Sequence, residues 1–213
     1  MRTPISLRCT LGSLAVAACA LFGASCADMA RTGSGPAYLV MESVAGSAGG
    51  AGTTFTSNLL SDVQTLVDVT IGGTTVKQPT IFNDIGQATI RAEMKNTVTP
   101  TAPTALHSIT ITRYRVRYRR TDGRNTEGVD VPYGFDGGTT ATIPVGTSVK
   151  VNFDLVRHQA KLEKPLITLT GGGGFVFIST IAEVTFYGRD QAGNEVSITG
   201  SIDVQFGDFG DEE

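Results

Sequence analysis

The feature that most constrains this chain is a pair of alternating runs near its C-terminus, Ile181–Tyr187 and Glu195–Phe206, joined by the polar Gly188-Arg189-Asp190-Gln191-Ala192-Gly193-Asn194. Ala182, Val184 and Phe186 share one parity on the first arm. Val196, Ile198, Ile202, Val204 and Phe206 share one on the second, with Gly200 in register between them. The opposite parities carry Glu183, Thr185, Ser197, Thr199, Ser201, Asp203 and Gln205. Successive strand side chains point to opposite faces, so this pattern predicts an antiparallel hairpin packed on one side and wet on the other. It predicts an architecture and carries no chemistry.

Upstream segments repeat the pattern in shorter form. Ala37–Val44 reads as a first strand, followed by Ala45–Gly52, whose Gly, Ala and Ser content predicts a mobile loop. Leu59, Leu60, Val63, Leu66 and Val67 suit either one face of a short helix or strand material. Val67–Ile71 then alternates, and Gly72-Gly73 turns the chain into Thr74–Lys77. Ile85–Lys95 places Ala88, Ile90, Ala92 and Met94 on one face. Val98–Thr104 breaks pairing with two prolines and reads as a crossing loop.

Ser108–Arg120 is the longest strand candidate. Its apolar parity switches from Ile109 and Ile111 to Tyr114, Val116 and Tyr118, which predicts a β-bulge near Thr112 or Arg113. Asp122-Gly123 and Asp136-Gly137-Gly138 read as turns, Thr140–Val145 and Val149–Val156 as strands, and Phe175–Ile178 as strand material leading into the final hairpin. Many short strands punctuated by turn signals predict an all-β, mostly antiparallel sandwich, one domain over 37–207.

The closing Tyr187-Gly-Arg-Asp-Gln-Ala-Gly-Asn194, followed by an alternating strand, resembles the last hairpin of bacterial Ig-like and fibronectin-III-like domains. The resemblance covers about 30 residues and implies an Ig-like β-sandwich. It implies no catalytic residues, and the Cys and Trp hallmarks of immunoglobulin domains are missing.

Residues 1–25 read as a signal peptide. Arg2 and Arg8 precede the apolar Leu11–Ala24, about 14 residues against the roughly 20 that span a bilayer. Cys26 follows directly, an arrangement resembling the bacterial lipobox, which implies lipidation of Cys26 and a flexible tether over 26–36. Gly23 stands where lipoboxes usually carry Leu, and Ser25-Cys26-Ala27 also fits ordinary cleavage before Asp28, which would release a soluble secreted protein. Each buried acyl methylene contributes about 0.8 kcal/mol, so several chains on one cysteine would anchor the domain.

Of the three cysteines, Cys9 and Cys19 lie in the signal peptide, so the folded part has no thiol for disulfides, metal binding or nucleophilic attack. The 188 residues from Cys26 onward are long enough to bury roughly 70% of their unfolded surface without such staples. A net charge of -3 argues against a general grip on nucleic acid.

Arg113, Arg115, Arg117 and Arg119 recur at spacing two, which on a strand makes a row about 20 Å long. Such a row suits an anionic glycan, a headgroup or an acidic partner, or else a solvated face balanced by Glu183 and Asp203. The Asp122–Glu127 and Asp190–Glu195 loops are oxygen-rich but lack calcium-loop spacing, and turn chemistry accounts for them. His107 and His158 are the only histidines, and no metalloprotease, nucleophile-elbow or P-loop pattern occurs. The terminal 208–213 is an acidic tail. The expectation is a non-enzymatic, cofactor-free module of the bacterial cell envelope, contacting a membrane through its lipid and an envelope protein as partner. The alternative is a glycan-binding module using Tyr114, Tyr118, Tyr133 and Tyr187 as platforms.

Overall fold

The computed structural model describes residues 35–50, 54–95 and 102–209. The signal peptide, Cys26, most of the tether, the centre of the proline-bearing segment and all but the first two residues of the acidic tail lie outside them.

The described chain is all-β. Strands β1 (Ala37–Ser47), β2 (Asn58–Asp62), β3 (Thr65–Ile71), β4 (Thr74–Thr80) and β5 (Asp84–Met94) form its first half. Strands β6 (Ile109–Arg119), β7 (Phe135–Ile143), β8 (Ser148–Val156), β9 (Ile178–Asp190) and β10 (Glu195–Gly207) form its second. One turn of α-helix, α1 (His158–Lys161), and a 3₁₀ turn, Leu166–Leu169, sit between β8 and β9. One sheet has the order β1-β5-β8 and another β2-β10-β9-β6-β7, while β3 and β4 pair only with each other. All pairings are antiparallel except β2 alongside β10.

The final hairpin forms as its alternation dictates, with Phe186 opposite Ile198 and Ala182 opposite Ile202. Ala182, Val184, Phe186, Ile202, Val204 and Phe206 are buried. They meet side chains from the smaller sheet. Phe153 of β8 lies edge-on to Phe186 with ring centroids 5.3 Å apart, and 5.4 Å from Tyr114 of β6. Two hydrogen bonds tie the layers together: the Tyr118 hydroxyl donates to the Leu155 carbonyl at 2.6 Å, and the Asp154 N–H donates to the Tyr114 hydroxyl at 3.2 Å. Burial pushes the Tyr118 phenol far above its usual range.

The parity switch in β6 is a register shift between Ile111 and Arg113, seen against both β7 and β9. The helix alternative for Leu59–Val67 does not occur. Leu59 and Leu60 enter β2, Leu66 and Val67 enter β3, and Val63 is buried at the bend between them.

Three local expectations are corrected. Ala45–Ser47 continue β1 instead of opening a loop, because Gly46 sits where a Cβ would come within 3.1 to 3.3 Å of Leu155, Leu59 and Ile202. The missing side chain is what lets this backbone pack. Asp136-Gly137-Gly138 lie inside β7 instead of turning, since a Cβ on Gly137 would fall 2.2 Å from the Tyr114 ring. Phe175–Phe177 are not strand; β9 starts at Ile178, and all three side chains are exposed.

Candidate partner-binding surfaces

The arginine row forms on β6 and faces solvent, because its parity opposes the buried Tyr114, Val116 and Tyr118. Asp136 on β7 sits directly opposite Arg115 and accepts from two of its guanidinium nitrogens, Nε at 3.0 Å and Nη2 at 2.8 Å. Arg113 reaches the same carboxylate at 3.4 Å while its guanidinium lies 4.1 Å above the Tyr187 ring. Arg119 meets Glu183 at 3.5 Å. The hydrogen bond from Arg115 holds the Asp136 carboxyl below the usual carboxylate range, and Arg117 adds to it through space. The row is thus laced to carboxylates across two strand pairs. Glu183 acts as the balancing residue expected for it, Asp136 does so in place of Asp203, and an acidic ligand would have to exchange for them.

The oxygen-rich loops are occupied by their own donors. Asp122 receives Arg120 and Arg124 at 2.6 and 3.0 Å, which drives its carboxyl well below the usual range. Asp190 is pushed up by burial but pulled down further by hydrogen bonds from the Asn194 side chain and the N–H groups of Asn194 and Ala192. Among the described residues no group of three or more His, Cys, Asp or Glu is placed to hold a metal ion. His158 is exposed at the start of α1, its Nδ1 2.9 Å from the Asn83 side-chain oxygen. The tyrosines do not gather into a platform: Tyr114 and Tyr118 are core residues, Tyr187 lies beneath Arg113, and only Tyr133 of the four stands exposed.

The ribbon β3–β4 is the most open part of the fold. Gly72 and Gly73 both have positive φ, +61° and +85°, which suits the two-residue turn predicted there. Cross-strand pairing puts Val69 against Val76, with Val67 and Ile71 on the same face, and Ile71 is 64% exposed. The other face carries Asp68 opposite Lys77. Among the described residues neither strand pairs with another sheet, so both outer edges of the ribbon are open.

The ribbon's legs are clamped at their base by a buried cluster that no local sequence signal revealed. Lys161 Nζ and the Asp84 carboxylate meet at 2.8 Å with side chains only 1% and 0% exposed. The Ser61 hydroxyl donates to the other Asp84 oxygen at 2.6 Å and the Gly49 N–H to the first at 2.8 Å. Ser61 precedes the ribbon and Asp84 follows it, so one carboxylate joins both legs to α1. Beside them, Phe55, Phe82, Ile85, Asn83, Asn152 and His158 line an open groove of about 630 Å³.

No family model, curated protein or solved structure matches this chain. The surfaces therefore speak through their own chemistry. No helix among the described residues is long and apolar enough to cross a membrane.

Proposed function

We propose that this chain is an exported, non-enzymatic protein-interaction module of the bacterial cell envelope, an Ig-like sandwich tethered by a lipid on Cys26. The observation that carries the interaction reading is the β3–β4 ribbon. An isolated two-stranded ribbon is marginal in water, and its free edges and valine face are templates for strand addition by a partner. The Ig-like reading is supported by the pairing order, a three-stranded sheet facing a five-stranded one whose edge strand β2 runs parallel to β10. The tether reading rests on the sequence of 1–36. Glycan binding loses its support with the burial of Tyr114 and Tyr118, and an acidic partner would find Arg113, Arg115, Arg117 and Arg119 as a second contact.

Two measurements test this. Mass spectrometry of the mature N-terminus should find acylated Cys26, and a chain starting at Asp28 overturns the anchor. Replacing 65–80 with a short Gly-rich turn should leave a folded protein that no longer retains the envelope proteins captured by the native chain. Unchanged capture overturns the ribbon as the contact.

A further inference from the structure

The two outer edges of the β3–β4 ribbon are not equivalent, and the difference decides what each can accept. The Gly72-Gly73 turn closes on Ile71 opposite Thr74, and with both glycines at positive φ this first pair is a hydrogen-bonded one. Pairs alternate from there along the ladder. Val69 with Val76 and Val67 with Gln78 bond inward, while Thr70, Asp68 and Leu66 on β3, and Thr75, Lys77 and Pro79 on β4, turn their backbone polar groups outward. Pro79 thus stands on the side where its missing N–H breaks no bond of the ribbon itself.

The β4 edge lacks a donor at Pro79 and carries Lys77 near its middle, two devices that block strand addition. The β3 edge, Thr65–Ile71, has no proline, and among the described residues no strand covers it. The ribbon can therefore grow on one side and not on the other.

The order of residues in β3 selects the strand that suits this edge. Laid antiparallel against its own copy with Val69 opposite Val69, β3 sets Val67 against Ile71 and Asp68 against Thr70 of the second copy. Apolar residues then meet apolar ones on one face and polar meet polar on the other. The neighbouring register, with Asp68 directly opposite Asp68, is opposed by like charge. In the favoured register the two apolar faces of Val67, Val69, Ile71 and Val76 become continuous, and Ile71, 64% exposed in the single chain, gains an apolar neighbour. A two-fold axis at Val69 leaves a β4 edge on each outer side of the joined sheet, so assembly closes at two copies instead of running on as a fibre.

We propose that the ribbon's open edge takes a second copy of this chain, paired β3 to β3 antiparallel about Val69. The inference rests on the reading of the ribbon as a contact surface and names its partner.

The test is oxidative cross-linking of the purified mature chain carrying single cysteines, with the native chain as the blank. Val69→Cys faces its own copy in a non-hydrogen-bonded pair, with Cα atoms about 4.5 Å apart and within disulfide reach. Thr70→Cys stands two residues out of register with its copy, beyond the roughly 7 Å limit, and Lys77→Cys lies on the guarded edge. Val69→Cys should give at least about tenfold more disulfide-linked dimer than either, the separation expected between a pair inside that limit and pairs outside it. Adding Thr70→Pro removes an outward donor of β3 and should abolish the dimer, whereas the equivalent Thr75→Pro on β4 should leave it. Equal yields at the three cysteine positions, a dimer that survives Thr70→Pro, or one lost equally with Thr75→Pro overturns the proposal. If Val69→Cys gives no dimer while replacement of 65–80 still abolishes capture of envelope proteins, the self-pairing is overturned and the ribbon contact stands; if capture is unchanged as well, both fall.

Discussion

Two hairpins in this molecule carry the same local signals and meet opposite fates. Both β3–β4 and β9–β10 alternate and turn through glycine-bearing segments, but β9–β10 sits inside a five-stranded sheet with Phe186, Val204 and Phe206 sealed in the core. The ribbon β3–β4 pairs with itself and leaves Ile71 and Val76 in solvent. Period-2 alternation therefore specifies strand and facing, while length and side-chain size decide whether a hairpin can reach a second layer. The ribbon's apolar face is Val67, Val69, Ile71 and Val76, whereas the final hairpin includes rings: Phe186 crosses the interlayer space to Phe153, and Phe206 packs edge-on against Tyr118 of its own sheet.

Truncation is the strongest way to break this comparison. Phe186→Ala should cost about 3–5 kcal/mol in denaturant unfolding, since a fully buried ring leaves a cavity. Val76→Ser in the ribbon should stay within about 0.5 kcal/mol. Comparable losses at both positions would mean that the ribbon is packed in solution.

Next in size is the clamp beneath the ribbon. Lys161→Met strands the Asp84 carboxylate in the interior, a loss of about 3 kcal/mol or more. Adding Asp84→Asn keeps acceptors and donors for Ser61 and Gly49 while removing the charge, and should recover most of that loss. A double variant no better than the single one would show that the cation acts through packing of its aliphatic stem.

Much of the fold was legible because it is written locally. The faces of β9 and β10, the β6 bulge and the Gly72-Gly73 turn each follow from residue spacing. What was not legible depends on distant neighbours. Gly46 looks unpackable until Leu155 and Ile202 are brought against it, and Asp136-Gly137-Gly138 has turn chemistry that the Tyr114 ring overrides. Phe175–Phe177 is apolar enough for a strand, yet periodicity over three residues cannot choose between strand and loop. Of the candidate site, the row of Arg113 to Arg119 was visible as a row. Its pairing with Asp136 was hidden by reading that residue as part of a turn, and the contact of Asp84 with Lys161 spans 77 positions.

Amide exchange gives a finer test without altering stability. Ladder amides of β9 and β10 should exchange only through near-global opening, while those of β3 and β4 should exchange through local opening, orders of magnitude faster. Equal protection would remove the physical basis for treating the ribbon as a partner's template.

The smallest effect concerns the solvated face of β6, where the comparison is between charge and burial. Asp136 has its carboxyl pKa lowered in the folded state, chiefly by the hydrogen bond from Arg115. Its contribution to stability is therefore present above the unfolded value of about 3.9 and is lost as pH falls through the lower folded value. Asp136 is well exposed, so solvent screens the pair and Asp136→Asn should cost no more than about 1 kcal/mol at neutral pH. The stability curves of the native chain and the variant should then converge as the pH is lowered past the carboxylate range. A gap that widens toward acid would require Asp136 to be protonated more readily when folded, which its two guanidinium contacts oppose.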